Sequence, residues 1–130
     1  MRPNFILLCF TLICIDMLVI FPNINNWKSL QTKCSSSDTK SIRFYYGIIA
    51  WIFIALGLYI FVFPLIYTYI DCITYGFLFG VIVFGIFDFT NMVIFPFYPL
   101  WLTFVDIISG CITCISTLLI YKKIHSLIKK

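Results

Sequence analysis

Long apolar stretches, interrupted by one polar segment and by prolines, make up most of the chain. The polar segment covers residues 23–43, and the apolar stretches cover residues 5–21, 44–66, 72–95 and 101–121. A helix needs about 20 apolar residues to cross the hydrocarbon core of a bilayer, so each stretch is a candidate span. The pattern predicts an all-α membrane protein, a compact four-transmembrane-helix bundle. It would be a single integral membrane domain of residues 1–130 with a basic tail at 122–130.

Prolines and one aspartate predict where the helices begin and end. Pro22 stops the first stretch, and Pro64 should kink or end the second helix because it lacks a backbone donor. The following turn is expected within residues 66–71, with Asp71 as the N-cap of the next helix. Two prolines make residues 95–99 a short reversal before the last span.

The composition indicates lipid rather than water as the main solvent of the surface. Of the 130 residues, 62% are hydrophobic and only 11% are charged, too few to cover a soluble domain. The formal net charge of +4 does not indicate nucleic acid, because the basic residues lie at helix ends and in the polar segment. We therefore expect the lipid bilayer as a partner and no nucleic acid.

Four spans place both termini on one side of the membrane. Arg2 and the lysines of the tail favour the cytoplasm for that side, although the polar segment is basic as well. We interpret that segment as a solvent-exposed loop with room for a short interfacial helix around residues 27–32. The expected localisation is that of an integral, multi-pass membrane protein with cytoplasmic termini.

The six cysteines do not follow the pattern of a disulfide scaffold. Most lie within apolar stretches, where thiols commonly pack as small hydrophobic groups. Cys111 and Cys114 form a C-x-x-C motif, which in an apolar helix we interpret as packing rather than redox chemistry or metal binding. The sequence predicts no metal site, no cofactor and no catalytic residue.

Aspartates within the apolar stretches are the strongest candidates for a functional site, because a carboxyl group in hydrocarbon is costly. At a rise of about 1.5 Å per residue, Asp16, Asp88 and Asp106 lie at about 18, 24 and 22 Å from the terminus side. This agreement predicts a shared polar pocket between the first, third and fourth spans. Its candidate members are Asp16, Asp88, Thr90, Asn91, Thr103 and Asp106.

Two interpretations of this pocket follow from the sequence. No Lys or Arg lies in an apolar stretch, so at least one carboxyl should be protonated at neutral pH, unless a cation or water fills the pocket. Alternatively, protonated Asp and Asn act only as interhelical hydrogen bonds of about 1 kcal/mol each and specify the packing.

Small residues predict close contacts between helices. Gly76 and Gly80 form a G-x-x-x-G motif in the third stretch. The small face of the second stretch consists of Gly47, Ala50, Gly57 and Pro64. A small and polar stripe on the fourth stretch, spaced three and four residues apart, should face protein or water rather than lipid. Its members are Thr103, Asp106, Gly110, Thr113 and Thr117.

The region 76–110 resembles a family of uncharacterised predicted membrane proteins, domain of unknown function 2177. The resemblance rests on the G-x-x-x-G motif, on D-x-T-N at 88–91, and on P-L-x-x-T-x-x-D-x-x-x-G at 99–110. The family typically has Tyr where this chain has Phe87, and Trp where it has Tyr98 and Ser109. It also has a Trp just after the position of Asp16. The resemblance implies a compact four-span bundle and no established activity.

Three classes of function remain open on this basis. Buried aspartates often mark the path of a solute, ion or proton, and a chain this short would need to form a homo-oligomer to enclose a pore. The alternative is a structural or partner-binding module in which the pocket only specifies packing. A membrane-embedded enzyme is disfavoured, because the chain has no histidine cluster, no nucleophile paired with a base and no phosphate-binding loop.

Overall fold

The computed structural model describes residues 4–34 and 43–128. Residues 35–42 of the predicted loop lie outside the described residues, as do Arg2 and the last two tail lysines, Lys129 and Lys130.

The described residues are almost entirely helical and contain no strand. They form α1 (Phe5–Ile20), α2 (Ile24–Cys34), α3 (Arg43–Gly57), α4 (Tyr69–Ile94) and α5 (Leu100–Ile128). Four segments are long and apolar enough to cross a membrane: Phe5–Ser29, Tyr45–Leu65, Tyr69–Ile94 and Leu100–Leu127. The predicted fold class, an all-helical membrane protein with four spans, is confirmed.

The first α-helix, α1, ends at Ile20, close to the stop predicted at Pro22, but the chain continues in helical turns beyond this proline. A 3-10 turn over Phe21–Asn23 contains this proline near its start, and α2 follows with helical backbone angles. Proline is tolerated in the first turn of a helical segment, since its missing N–H would have no partner there. Residues 24–34, expected within the loop, are therefore helical, and this helix is longer than the short one expected at 27–32.

The helical segment that begins with α3 ends beside Pro64, as predicted. The helix widens into a π turn over Leu58–Val62, tightens into a 3-10 turn over Phe63–Leu65, and the chain then turns at residues 66–68. The proline ring has no N–H to donate and crowds the carbonyl one turn earlier, so the regular α-helical pattern cannot continue through it.

Thr68, rather than Asp71, is the N-cap of α4. The Asp71 N–H donates to Thr68 Oγ1 at 3.2 Å, and Asp71 Oδ2 accepts from the Thr68 N–H at 2.5 Å. The two residues form a capping box, in which each side chain satisfies a backbone donor of the first turn. The helix consequently begins at Tyr69, before the residue that the sequence indicated as its cap.

The central helix of the bundle is α5. It is the most buried of the four spans, and it packs along α4 and along α1. α3 packs against α1, and its π turn contacts α4. Residues 122–128 of the predicted tail continue this helix. Large apolar side chains such as Phe10, Phe53 and Val93 are exposed, as a surface in contact with acyl chains requires.

One end of the bundle joins the start of α1 to the end of α5. The Tyr121 hydroxyl accepts a hydrogen bond from the Asn4 backbone N–H at 2.6 Å. The next residue, Lys122, donates to the Tyr67 carbonyl at 2.5 Å. We call this end the terminus side, and the opposite end, which carries residues 95–99, the loop side.

Two glycines let α4 and α5 approach each other closely. A Cβ atom at Gly80 would lie 2.7 Å from the Cα atom of Cys111, and one at Gly76 would lie 3.0 Å from the Cα atom of Ile115. Side chains larger than hydrogen would therefore push the two backbones apart. The G-x-x-x-G motif lies at the α4–α5 contact.

The other small residues behave in two ways. Gly57 and Gly110 lie against the rings of Phe79 and Phe84, so a side chain at either position would displace an aromatic ring. Gly47 has open space around it. The small face predicted for the second span is therefore used near Gly57 but not near the start of α3.

Candidate functional site

Two of the predicted aspartates meet across the contact between α4 and α5. Asp88 is fully buried, at 0% exposed, and Asp106 is 7% exposed. Their carboxyl groups lie within hydrogen-bonding reach of each other. Aspartate has a short side chain, so this contact depends on the close helix approach that Gly80 and Gly76 permit about two and three turns away. We call Asp88 and Asp106 the carboxyl pair.

A tyrosine from the loop side closes over the carboxyl pair. The Tyr98 hydroxyl donates a hydrogen bond to Asp88 Oδ1, and its ring is buried. The turn at residues 95–99 holds it there, with the Tyr98 N–H donating to the Phe95 carbonyl at 3.0 Å. The Asn91 side chain, half-buried on α4, also hydrogen-bonds to the Tyr98 hydroxyl.

The carboxyl pair needs a proton to complete its hydrogen bonds. Among the described residues, Asp88 Oδ2 has no N–H or O–H donor, although it is buried. A carboxylate only accepts hydrogen bonds, so two facing carboxylates repel each other, whereas a carboxylic acid donates to its carboxylate neighbour. One proton held between Asp88 and Asp106 therefore satisfies an otherwise costly arrangement.

Asp16 has a separate set of partners. The Trp51 indole N–H donates to Asp16 Oδ2 at 2.7 Å, and the Thr113 hydroxyl donates to Asp16 Oδ1 at 2.9 Å. These bonds connect α1, α3 and α5 in the interior of the bundle. Asp16 is also close enough to Asp106 for their charges to interact. We call Asp16, Trp51 and Thr113 the Asp16 site.

The two sites lie at different heights along α5, which modifies the predicted single pocket. Thr113 follows Asp106 by seven residues, so the Asp16 site lies about 10 Å closer to the terminus side than the carboxyl pair. The structure thus brings Asp88 and Asp106 into contact and places Asp16 below them, within electrostatic range.

The neutral residues of the predicted pocket differ in their placement. Thr103 is fully buried and lies three residues before Asp106. Its hydroxyl does not bond to the carboxyl pair; it donates to the Met92 Sδ atom at 3.5 Å. Asn91 reaches the pocket through Tyr98. Thr90 is exposed and lies outside the pocket, because it follows Asp88 by two residues and points to another face of the helix.

Two donors in the site, Trp51 and Tyr98, were absent from the predicted set. A tryptophan in the middle of an apolar span is a usable signal, because a buried indole N–H requires an acceptor. Tyr98 carries no such signal, since tyrosines are common at membrane interfaces and only the turn at 95–99 folds it over Asp88. The residue that follows Asp16 is the exposed Met17, so the indole donor to Asp16 comes from Trp51 on α3, 35 residues away in the chain.

The two helices that carry the carboxyl pair, α4 and α5, have no basic residue near it. Between residues 44 and 121 the sequence has no Lys or Arg. The nearest basic residue along α5 is Lys122, sixteen residues after Asp106 or about 24 Å along the helix, and it bonds to Tyr67 at the terminus side. Along α4 and α5, hydrogen bonds and bound protons therefore stabilise the carboxyl groups, and a basic side chain does not.

Comparison with known proteins agrees with this picture at the level of the family. Neither a curated protein nor a solved structure matches the chain. The model of one family, described as predicted membrane protein (DUF2177), matches residues 3–121, well over half of the chain. With its four candidate spans and its D-x-T-N motif at the α4–α5 contact, this multi-pass membrane protein belongs to the DUF2177 family.

Proposed function

We propose that this protein moves protons across the membrane and that the carboxyl pair is its proton-binding site. The observation that carries the proposal is the contact between two buried carboxyl groups, Asp88 and Asp106. In the part of the chain that the structure describes, Asp88 Oδ2 has no other donor. Such a contact holds one proton well, and it loses a favourable hydrogen bond when that proton leaves. Ionisable groups within spans commonly mark proton relays for this reason.

The donors around the carboxyl groups favour a proton over a metal ion as the cargo. Tyr98 points its hydrogen at Asp88, and Trp51 and Thr113 point theirs at the two oxygens of Asp16. A metal ion would need those oxygen lone pairs and would have to displace the donors. A proton bound between Asp88 and Asp106 displaces none of these donors.

The position of the carboxyl pair supplies access from one side. Asp88 lies six residues before the end of α4 and Asp106 six residues after the start of α5, so both are about 9 Å along the helix axis from the loop-side ends. Tyr98 lies between the pair and the loop-side surface and is the group that a proton would pass first. A relay of this kind needs no water-filled pore, so one bundle suffices, whereas a larger solute would require a homo-oligomer.

Proton flux into liposomes tests the proposal. The purified protein is reconstituted around a pH-sensitive dye, and a potassium gradient with an ionophore drives proton entry. We expect wild-type flux well above that of empty liposomes and a fall of at least tenfold in Asp88→Asn. The matched control is Asp71→Asn, the same chemical change at an exposed carboxyl group in the capping box, which should retain wild-type flux.

A structural role for the pocket is the second candidate, favoured by the Asp16 site. Both oxygens of Asp16 are bonded to donors from other helices, as expected of a group that specifies packing. A folded wild-type protein without flux in the liposome assay would contradict proton transport and leave this role. If the folded wild type shows no flux and a membrane protein that co-purifies with it is lost in Asp88→Asn, the pocket serves partner binding.

We also propose that the termini are cytoplasmic. The support is the concentration of lysines at the end of α5, where Lys122 and Lys123 precede the last two residues of the chain, both lysines. The test is labelling of a single cysteine introduced at position 123 in intact cells with an impermeant reagent. Protection until the cells are lysed is expected, and labelling of intact cells would reverse the orientation.

A further inference from the structure

A row of buried hydroxyl groups continues from the Asp16 site toward the terminus side. Thr113, Thr117 and Tyr121 are spaced four residues apart on α5 and therefore lie on one face of the helix. All three are buried, and the exposed fraction of Thr117 is 0%. The buried apolar cluster that contains Tyr121 also contains Leu8, Leu12 and Leu118. We call Thr113, Thr117 and Tyr121 the hydroxyl file.

Both ends of the hydroxyl file are bonded to α1. At the inner end, Thr113 donates to Asp16 at 2.9 Å. At the outer end, the Tyr121 hydroxyl accepts from the backbone N–H of Asn4 at 2.6 Å, and Asn4 is exposed. The file therefore begins at a buried carboxyl group and ends at the solvent-accessible start of α1.

The middle member is an unpartnered polar group. Within residues 4–34 and 43–128, Thr117 Oγ1 has no hydrogen-bond partner, although it is completely buried. A threonine in a helix usually satisfies its hydroxyl by bonding to the carbonyl four residues earlier, as Thr11 does with the Leu7 carbonyl at 2.8 Å. Thr117 does not, and it lies between the two hydroxyl groups of the file that have partners.

We infer that the hydroxyl file is the exit half of the proton route, in which Thr117 and a bound water molecule connect the Asp16 site to Tyr121 and the terminus side. The inference rests on the proposed function and deepens it by specifying the path. When a proton arrives on Asp16, the Thr113 hydroxyl turns so that Asp16 donates to Thr113 Oγ1 instead of accepting from it. The proton of Thr113 then passes through water to Thr117 and on to Tyr121, which releases its own proton to solvent beside the exposed Asn4. Each oxygen accepts one proton and releases another, so every hydroxyl group is restored at the end of the transfer.

The lengths of the two halves fit a route across the bilayer. From Asp106 to Tyr121, α5 advances fifteen residues, or about 22 Å, and the carboxyl pair lies about 9 Å from the loop-side end of the helix. Together these distances match the roughly 30 Å of hydrocarbon that a proton must cross. The polar groups along this line are the carboxyl pair, the Asp16 site and the hydroxyl file.

Flux through Thr117 variants in the liposome assay tests the inference. Thr117→Val removes the hydroxyl at nearly constant shape and should lower the proton flux at least tenfold, whereas Thr117→Ser should keep at least half of it. Thr11→Val is the control for loss of a buried hydroxyl, because Thr11 bonds within its own helix and is not part of the file. It should retain wild-type flux.

The outcomes separate the inference from the function on which it rests. If proton flux is lost in Asp88→Asn but unchanged in Thr117→Val, the hydroxyl file is not the exit route, although the protein still transports protons. Absence of flux in the folded wild type would overturn both. Equal losses in Thr117→Val and Thr11→Val would show a general packing effect and contradict the file.

Thermal unfolding supplies a second measurement. If a water molecule binds Thr117, Thr117→Val loses hydrogen bonds and should unfold at the same temperature as wild type or at a lower one. A rise in the unfolding temperature would show that the hydroxyl is buried without any partner and would contradict the water link.

Discussion

The two halves of the α4–α5 contact are built by different means. In the terminus-side half, Gly76 and Gly80 let the backbones of the two helices touch, and no polar pair is needed. In the loop-side half, Asp88 and Asp106 face each other with Tyr98 above them. The first half determines how close the helices lie. Because they lie so close, two short carboxyl side chains can meet in the second half.

This division separates stability from chemistry. Close backbone packing stabilises a membrane bundle through dispersion contacts, whereas hydrogen bonds between spans contribute only about 1 kcal/mol each. We therefore expect substitutions in the glycine half to unfold the bundle and substitutions in the carboxyl half to change its proton chemistry with little loss of fold.

The largest effect on stability is expected from Gly80→Ala. The new Cβ atom would lie 2.7 Å from the Cys111 Cα atom, so α4 and α5 must separate. Overpacking typically costs about 1 to 3 kcal/mol of unfolding free energy and occasionally more, and we expect the upper end here because a backbone atom must move. Unfolding in mixed detergent and denaturant measures it, with Gly47→Ala as the control because Gly47 has open space around it. Equal stability of both variants would contradict the role of close backbone contact.

A smaller loss is expected from Trp51→Phe. This substitution keeps most of the aromatic packing but removes the indole N–H that donates to Asp16 at 2.7 Å. Leaving a buried carboxyl oxygen without this donor should cost about 1 to 3 kcal/mol. The same unfolding assay measures it, and Trp101→Phe is the control because Trp101 is exposed. If the two tryptophan variants are equally stable, the bond from Trp51 does not stabilise the bundle.

Asp88→Asn should change stability by less than about 1 kcal/mol while it abolishes proton flux. An asparagine can accept from Tyr98 and donate to Asp106, which reproduces the hydrogen bonds of a protonated aspartic acid. Circular dichroism and detergent unfolding measure the fold, and the liposome assay measures the flux. Loss of the fold together with the flux would mean that the carboxyl half also holds the helices together.

The smallest effect is expected from Thr90→Val. Thr90 belongs to the D-x-T-N motif, but its side chain is exposed on α4 and lies outside the pocket. Exposed substitutions of this kind usually change stability by no more than about 0.5 kcal/mol. Both flux and unfolding should match wild type. A clear loss of flux would show that Thr90 takes part in the site.

The sequence by itself determined the class of the protein, its spans and the residues that bear charge within them. Apolar stretches long enough to cross a bilayer can satisfy their backbones only as helices, so a four-span bundle follows from length and composition. Asp16, Asp88 and Asp106 are conspicuous for the same reason, since a carboxyl group is costly in hydrocarbon. Local chemistry was less decisive, because the chain continues helically through Pro22 and caps α4 at Thr68.

Only the tertiary structure decided which of these groups meet. Positions along separate helices give depth but not rotation or partner, so three aspartates expected in one pocket are divided between the carboxyl pair and the Asp16 site. Trp51 and Tyr98 reach them through contacts 35 and 10 residues apart in the chain, which no local pattern specifies. That the Thr117 hydroxyl has no hydrogen-bond partner among the described residues is likewise a property of packing, since its residue type and its position on a helix predict a bond to the carbonyl four residues earlier.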